Sequence, residues 1–297
     1  MVERKKDMRV LVIGAGGFLG QKIYKTFSES FETYGATNLE TDNLYLDITN
    51  IDSIKNVLEK VKPNIVINCA GLTDVDYLEG HPDVAEKVNV GGIKNISDVC
   101  SKAKMKLIGI STDYVFDGKK GDYTEDDKPN PINVHGNAKF NEEKTIKGSM
   151  KDYIIARVSV LYGYNSPNDK QTFVNWVIKK LETGEKIRVI DDQLNTPTLI
   201  DDIASALIHL IKAEKNGIYH ITGSEKISRY DFALKVAETF KLNKDLIEPI
   251  KTSDLKWKAK RPMDSSLSIN KLMKEGVRMS GINEGLRRMK AQMEMQL

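Results

Sequence analysis

The stretch RVLVIGAGGFLG, residues 9–20, decides the fold of this chain. It begins with an apolar run typical of a buried β-strand, and the residues behind it have a helical pattern. Three glycines separate the two in a G-x-x-G-x-x-G register, since Leu19 breaks the G-x-G-x-x-G register. Glycines there permit a tight turn and let backbone N–H groups approach a pyrophosphate, whose charge the helix N-terminus favours. The loop therefore predicts a dinucleotide site, with a purely structural turn as the alternative, at Gly14, Gly17, Phe18, Leu19 and Gly20.

Strand-like and helical segments alternate through the first two thirds of the chain. Short apolar runs at 64–70, 106–112 and 152–160 each follow a segment with helical periodicity. Such alternation is typical of a parallel sheet that helices cover on both faces. The predicted fold class is therefore α/β.

Beyond about residue 165 the pattern is less regular. It predicts a helix near 171–183, a strand near 186–190 and a helix over 201–213, followed by the strand GIYHITG, a helix from Ser228 and a short terminal helix. We expect a first domain over residues 1–165 and a smaller domain over 166–297 that packs tightly on it. Some later segments, at about 190–212, are expected to pack back on the first domain.

Charge and composition exclude several classes of protein. The 297 residues carry 45 Lys and Arg against 42 Asp and Glu, a net charge of +3, and the basic residues are scattered. A nucleic-acid groove needs a basic face with interleaved aromatic residues, so no nucleic-acid partner is expected. No apolar run approaches the ~20 residues that span a bilayer, and the charged N-terminus argues against a signal peptide.

The cysteines and histidines are few and dispersed. Two isolated thiols, Cys69 and Cys100, favour a reducing cytoplasm over a disulfide scaffold. The four histidines have no metal-ligand spacing with one another or with cysteine, so no metal site is predicted.

The adenosine end of the cofactor site is weakly marked. An acidic residue at the end of the second strand would bind the adenosine ribose. The segment FETYGATN instead offers Thr33, Tyr34 and Gly35 at about that place, neither an acid nor an arginine. The sequence therefore does not indicate whether the cofactor is NAD or NADP. Asp47, followed by Ile48, comes after a third short strand and is a candidate to face the adenine. A simple helix cap is the alternative for Asp47.

A polar set follows the strand over 106–112. Thr112 and Asp113 stand at its end, where open α/β sheets bind ligands, although hydroxyls there also serve turns. His135 and Lys139 follow, four residues apart on a predicted helix, so both project from one face. A hydroxyl, a proton-transfer group and a lysine near a nicotinamide would make carbonyl reduction chemically coherent.

Nine segments carry a family resemblance, in this order: GAGGFLG, LDITN, NCAGLTDVDYLE, VNVGGIKNI, STDYVFDG, ARVSVLYG, DDQLNTPT, GIYHITG and RPMDSSLS. The chain resembles the dTDP-4-dehydrorhamnose reductase family of extended short-chain dehydrogenases, and also the regulatory β subunit of methionine adenosyltransferase. The resemblance implies a Rossmann-type doubly wound parallel sheet that binds NADP(H) or NAD(H), with a smaller C-terminal α/β domain closing over a nucleotide sugar. Whether the chain forms a homodimer is left open.

The resemblance also assigns residues. Thr112 matches the catalytic Ser/Thr, Lys139 the catalytic lysine, and Ala70, Gly71 and Leu72 the nicotinamide-side loop. For the substrate we expect Thr112, Asp113 and Val160 near the sugar and Arg261 on the diphosphate, because a guanidinium fork matches phosphate oxygens. The alternative for Arg261 is a surface arginine beside a turn proline.

Two positions depart from the family pattern. His135 stands where the family has its catalytic tyrosine, and Val160 where some members carry a tryptophan against the sugar. The resemblance implies a reductase of the 4-keto group of a nucleotide-linked 6-deoxyhexose, and the departure at His135 leaves an NAD(P)-binding regulatory protein as the alternative. The neighbouring Lys139 and partial burial should keep His135 mostly neutral at pH 7, with activity improving toward pH 6 if it donates the proton.

Overall fold

A computed structural model describes residues 8–39, 43–165 and 172–295. Its main sheet has seven parallel strands in the order β11-β6-β5-β4-β1-β2-β3. These strands are β1 (Arg9–Ile13), β2 (Glu32–Thr37), β3 (Leu44–Tyr45), β4 (Ile65–Asn68), β5 (Lys106–Thr112), β6 (Tyr153–Val158) and β11 (Gly217–His220). Three further pairs of short strands are formed by β7 (Leu161–Tyr162), β8 (Ile187–Ile190), β9 (Leu194–Asn195), β10 (Thr198–Leu199), β12 (Ile227–Ser228) and β13 (Ile247–Ile250).

Helices cover both faces of the main sheet and build the C-terminal part. They are α1 (Phe18–Ser28), α2 (Ile51–Val61), α3 (Val75–Gly80), α4 (Pro82–Ala85), α5 (Gly91–Lys102), α6 (Val134–Ser149), α7 (Phe173–Glu182), α8 (Ile200–Lys212), α9 (Arg229–Phe240), α10 (Asn270–Lys274) and α11 (Ile282–Glu294). The parallel strands joined by helices confirm the predicted fold class, a doubly wound α/β sheet.

The central strand β1 is buried on both sides because its side chains alternate between two apolar layers. Val12 packs in one layer with Phe27 of α1 and Leu207 of α8. Leu11 packs in the other layer, with Ile54 of α2. Both layers are closed to water, so the apolar run that opens the chain becomes the middle of the fold.

The C-terminal part has a core of its own. Side chains of α7, α9 and α11, among them Val177, Phe232 and Leu286, pack together, and β8 pairs with β13 in parallel. Other late segments belong to the main sheet: β11 pairs with β6, and α8 packs against α1. The domain boundary after residue 165 stays a prediction.

Two expectations about the second and third strands need correction. Thr33, Tyr34 and Gly35 lie inside β2, paired with β1, and the strand ends at Thr37. The position where an acid would bind the ribose therefore comes after Thr37, and residues 40–42 lie outside the described residues. The helix-cap alternative for Asp47 is also wrong.

The cap of α2 is Asn50, whose side chain accepts from Asp52 N at 3.0 Å and Ser53 N at 3.3 Å. The Asp47 carboxylate instead accepts from the Thr49 N–H and hydroxyl, both at 2.8 Å, and so closes a local turn.

The described ranges show neither a membrane-spanning helix nor a metal-binding cluster. They contain no helix that is long and apolar enough to cross a membrane. They also contain no group of three or more His, Cys, Asp or Glu side chains placed to hold a metal ion. Both cysteines in these ranges are free thiols.

Candidate active site

A glycine turn forms one end of the site. Gly14 follows β1 with φ 82°, a conformation that glycine adopts without strain. A Cβ at Gly20 would lie 2.0 Å from the Gly14 carbonyl oxygen, so the first turn of α1 packs directly on the loop. Gly17 caps α1 without a side chain, which leaves N–H groups of that turn open to the cavity in front of it.

The carboxyl ends of β1, β4 and β5 open onto a cavity of about 450 Å³. It extends from the glycine turn, past the segment after β4, to the inner face of α6. The predicted residues that line it are Gly17, Phe18, Leu19, Gly20, Ala70, Gly71, Thr112, Asp113, His135, Lys139 and Val160. The fold thus brings together residues from five separate parts of the sequence.

Lys139 lies on the buried face of α6, 7% exposed. Its Nζ donates to Glu142 Oε2 at 3.0 Å and to the Ile110 carbonyl at 3.1 Å. A Cβ on Gly71 would stand 3.7 Å from this Nζ, which places the ammonium beside the segment after β4. The site therefore holds a buried cation between that segment and the end of β5.

Glu142 is an acid that the sequence did not single out. Among the described residues its Oε1 has no hydrogen-bond partner. Burial raises the pKa of its carboxyl to about 7, although the Lys139 charge opposes the shift. Lys139 therefore has a partner whose charge changes near neutral pH.

His135 sits in the first turn of α6, where the Asn133 side chain caps the helix by accepting the Gly136 N–H at 2.8 Å. Its ring meets the Tyr114 ring edge-on, with the centroids 5.9 Å apart. Nδ1 is buried and finds no hydrogen-bond partner in the described part of the chain. The imidazole is thus held by packing.

Burial lowers the pKa of His135 to about 3, and the charges of Lys139 and Arg261 act in the same direction. The positive end of the α6 dipole also disfavours a cation there. The ring is therefore neutral at pH 7, as the sequence predicted. The expected gain of activity toward pH 6 is not supported, since about one ring in a thousand is protonated at that pH.

Thr112 and Asp113 end β5 in a tight polar cluster. The Thr112 hydroxyl donates to Asp113 Oδ1 at 3.0 Å, and the Ser159 and Ser265 hydroxyls donate to Oδ2 at 2.9 and 2.5 Å. Burial raises the pKa of Asp113, and these hydroxyl groups oppose the shift. Rotation of the Thr112 hydroxyl would redirect its proton into the cavity.

A buried ion pair fixes α6 against the sheet. Glu143, 2% exposed, accepts two bonds from Arg157 of β6, at 2.9 and 2.7 Å, and one from the Ser111 hydroxyl at 2.5 Å. His220 Nε2, on β11, lies 3.3 Å from Nη1 of the same guanidinium. Because Glu143 is next to Glu142 and one turn after Lys139, this cluster sets the position of the lysine relative to β5.

Several predicted cofactor residues do not line the cavity. Gly14 lies behind the turn, where a Cβ would come within 2.7 Å of Ala70 N. Ile48 is buried in the core, and Asp47 closes its local turn. The Leu72 backbone is clamped by Asn89, whose side chain accepts its N–H at 2.8 Å and donates to its carbonyl at 3.0 Å.

Arg261 also stands off the cavity. Its Nη2 pairs with Asp76 at 2.8 Å, Nη1 donates to the Ala259 carbonyl at 3.0 Å, and the guanidinium stacks 4.9 Å from the Trp257 ring. The side chain is 11% exposed, so the surface alternative for this arginine is wrong. Its role on a diphosphate stays a prediction, because the guanidinium would have to turn away from Asp76.

Sequence reasoning missed Arg229, which lines the same cavity as His135 and Lys139. Arg229 is the first residue of α9. A positively charged residue in the first turn of a helix interacts unfavourably with the helix dipole. This unfavourable position is the feature of the sequence that could have singled out Arg229. Tyr114 and Cys69 also line the cavity. Burial raises the pKa of the Cys69 thiol to about 12, so this thiol stays protonated.

Val160 has an unusual backbone. Its φ is 40°, which is strained for a β-branched residue, and its carbonyl accepts from Thr198 N at 3.0 Å. Strain of this kind persists where neighbouring structure enforces it, often beside a ligand site. Val160 lines the cavity at the position where, by the resemblance, some family members carry a tryptophan.

A doubly wound parallel sheet, with a glycine turn and a Thr–His–Lys set at its carboxyl edge, defines a Rossmann-type α/β protein. Residues 8–295 match the RmlD substrate binding domain family, and the chain belongs to that family. The resemblance predicted from the sequence is therefore confirmed.

Named relatives agree with the family assignment. The chain is 34% identical to dTDP-4-dehydrorhamnose reductase of Aggregatibacter actinomycetemcomitans, over 96% of this chain and 99% of that one. It is 31% identical to methionine adenosyltransferase 2 subunit beta of Mus musculus, over 91% of this chain and 83% of that one. A crystal structure of dTDP-4-dehydrorhamnose reductase from Bacillus anthracis, in complex with NADP, matches with a TM-score of 0.89 at 32% identity, covering 96% of this chain and 99% of that one.

Proposed function

We propose that the protein is an NAD(P)H-dependent reductase of the 4-keto group of a nucleotide-linked 6-deoxyhexose. The observation that carries the proposal is the convergence of Thr112, Lys139 and the glycine turn on one cavity. Similarity to two dTDP-4-dehydrorhamnose reductases supports the substrate class.

The residues present fit a nicotinamide dinucleotide. Gly17 offers a turn without side chains at a helix N-terminus, which suits a pyrophosphate. From there the cavity runs past Ala70 and Gly71 to the buried ammonium of Lys139, which is placed to bind ribose hydroxyls. When bound, the reduced nicotinamide supplies hydride to the carbonyl carbon.

The carbonyl oxygen needs a hydrogen bond and then a proton. Thr112 can donate after its hydroxyl turns from Asp113, and the neutral His135, which lines the cavity, can donate through its protonated ring nitrogen. Because the His135 pKa is about 3, no imidazolium reserve exists at pH 7 to complete the transfer. We therefore expect the alkoxide to take its proton slowly, and turnover to be weak.

The test is NAD(P)H consumption with dTDP-4-keto-6-deoxyhexoses at pH 7, using the native chain and its His135→Tyr variant. Tyrosine restores the proton donor that the family places here, so turnover should rise about 10–10³-fold, the contribution of a positioned general acid. His135→Phe is the matched control, since it differs from His135→Tyr by one hydroxyl and should gain nothing. Cofactor affinity should stay unchanged in both variants.

Two results would contradict this account. Robust native activity that falls in His135→Tyr would make the imidazole an adapted catalyst. Silence of both proteins across several nucleotide sugars, with cofactor bound, would exclude the reductase.

The second candidate is an NAD(P)-binding regulatory protein. It is favoured by the neutral His135 at the catalytic position and by the 31% identity to a methionine adenosyltransferase β subunit. It predicts cofactor affinity without turnover, and a change in the activity of a methionine adenosyltransferase catalytic subunit when this chain is added. If that activity does not change, the regulatory candidate fails.

A further inference from the structure

Arg229 is a cavity-lining cation outside the predicted Thr–His–Lys set. It is the first residue of α9, which belongs to the C-terminal part, yet it lines the same cavity as Thr112 and His135. Its guanidinium lies 5.1 Å from the centre of the Phe173 ring, which packs against one face of the fork. Stacking on Phe173 therefore holds the guanidinium in place, and its N–H groups make no hydrogen bond to the described residues.

No described residue offers this edge an anion. Among the described residues, no carboxylate lies within 4.0 Å of Arg229 and no acceptor is within hydrogen-bond distance of its fork. The nearest acid in its electrostatic surroundings, Asp113, is committed to the hydroxyls of Thr112, Ser159 and Ser265. Arg261, the other guanidinium nearby, already has Asp76.

An unpaired guanidinium at a desolvated site is costly. Burial lowers the pKa of Arg229, and only the fields of Tyr114 and Asp113 oppose this shift. Such a charge is strongly stabilised by an anion that brings two oxygens to the planar fork. Because Arg229 lines the cavity and no described residue supplies this anion, a ligand in the cavity could supply it.

We propose that Arg229 binds an anionic group of the substrate through two oxygens. The proposal rests on the proposed function, because it assumes that a nucleotide sugar enters this cavity. The proposed substrate supplies one group with the required chemistry, the diphosphate that links the nucleotide to the hexose. A carboxylate on the hexose has the same chemistry, but it would require a uronate in place of the 6-deoxyhexose, so this outcome would change the proposed substrate. Either group would give Arg229 the anion that no described residue supplies.

The experiment measures binding by calorimetry to the full chain saturated with NADP⁺. One arm uses dTDP, which has the diphosphate and no hexose. The other arm compares UDP-glucuronate with UDP-glucose, which differ by the hexose carboxylate. The variants are Arg229→Gln and Arg229→Lys, which keeps the charge and loses the planar fork. Arg188→Gln, an exposed arginine on β8, is the control.

If the diphosphate is the partner, Arg229→Gln should weaken dTDP binding about 10–100-fold, the range expected for a charged hydrogen bond, with a smaller loss in Arg229→Lys. If the hexose carboxylate is the partner, dTDP binding should stay unchanged and the preference for UDP-glucuronate should disappear. Arg188→Gln should match the native chain in both arms.

The proposal is overturned if Arg229→Gln still binds NADP⁺ and has the same dTDP affinity and the same preference between the two UDP-sugars as the native chain. It is also overturned if the native chain binds none of the three nucleotides. Failure of the reductase proposal would look different. In that case no nucleotide sugar is turned over, while the loss of dTDP or UDP-glucuronate binding in Arg229→Gln persists.

Discussion

The neutral state of His135 in the folded protein can be tested by replacing it with a residue that does not titrate and then measuring how stability depends on pH. The proposed change is His135→Gln, which keeps a polar side chain and has no proton to gain. An ordinary histidine titrates near pH 6.5, whereas the folded His135 has a pKa of about 3. Below pH 6.5 the unfolded chain therefore binds a proton that the native chain refuses, so the native protein loses stability as the pH falls toward 3.

The size of the effect follows from this difference. Each pH unit between the two pKa values costs about 1.4 kcal/mol, so His135 should destabilise the native chain by about 2 kcal/mol at pH 5. The variant lacks this penalty. The free energy of unfolding of the variant, relative to that of the native chain, should therefore rise by about 2 kcal/mol from pH 7.5 to pH 5. Any pH-independent cost of the substitution cancels in this comparison.

The assay is equilibrium urea unfolding of both proteins at the two pH values. His220, whose pKa burial also lowers to about 3, is present in both proteins, so its contribution cancels. His209→Gln, at an exposed position on α8, is the matched control for loss of one imidazole. A stability difference that stays flat from pH 7.5 to pH 5 would mean that His135 accepts its proton in the folded protein, and our argument for a neutral ring would be refuted.

Two further substitutions test the rest of the site. The raised pKa of Glu142, about 7 against an ordinary 4.5, means that the native chain holds a proton that the unfolded chain releases, so stability falls as the pH rises through this window. The free energy of unfolding of Glu142→Gln, relative to that of the native chain, should therefore rise by about 3 kcal/mol from pH 4.5 to pH 8 in urea unfolding. A difference between the two proteins that is the same at both pH values would contradict the raised pKa. Gly20→Ala places a methyl group 2.0 Å from the Gly14 carbonyl, and should cost about 1–3 kcal/mol and weaken NADP⁺ binding. Gly148→Ala, whose Cβ meets nothing within 4 Å, is its control, and equal NADP⁺ affinity in the two variants would rule out the packed glycine turn.

Local pattern was sufficient to predict much of the fold and half of the site. The apolar run before the glycines predicted β1, and the spacing of His135 and Lys139 predicted one buried face of α6, because both depend on neighbours along the chain. The end of β2 was misplaced because polar residues inside a short strand resemble a loop. The helix-cap alternative for Asp47 was wrong because Asp and Asn are equally good caps, and the position where the helix starts decides for Asn50.

The remaining site residues depend on distance through space. Arg261 stands in a conspicuous motif, yet Asp76, some 185 positions away, holds its guanidinium off the cavity. Arg229 stands in an ordinary helix start, yet the fold of the C-terminal part brings it to the end of β5. Neither placement is contained in the residues around each arginine, so the sequence alone does not show which of the two lines the cavity.

The surroundings of Lys139 explain why the cofactor site and the catalytic position have to be judged separately. Its ammonium is fixed by Ile110 and Glu142, and α6 is anchored through Glu143, so nothing in its placement depends on the residue at 135. Below pH 7 the Glu142 carboxyl is mainly neutral and leaves the ammonium charge uncompensated; above pH 7 the two form a buried ion pair. Under the proposed function, a neutral imidazole in place of the family's tyrosine removes a proton donor and leaves the lysine, the glycine turn and the cavity between them in place, so cofactor affinity should survive every change at His135.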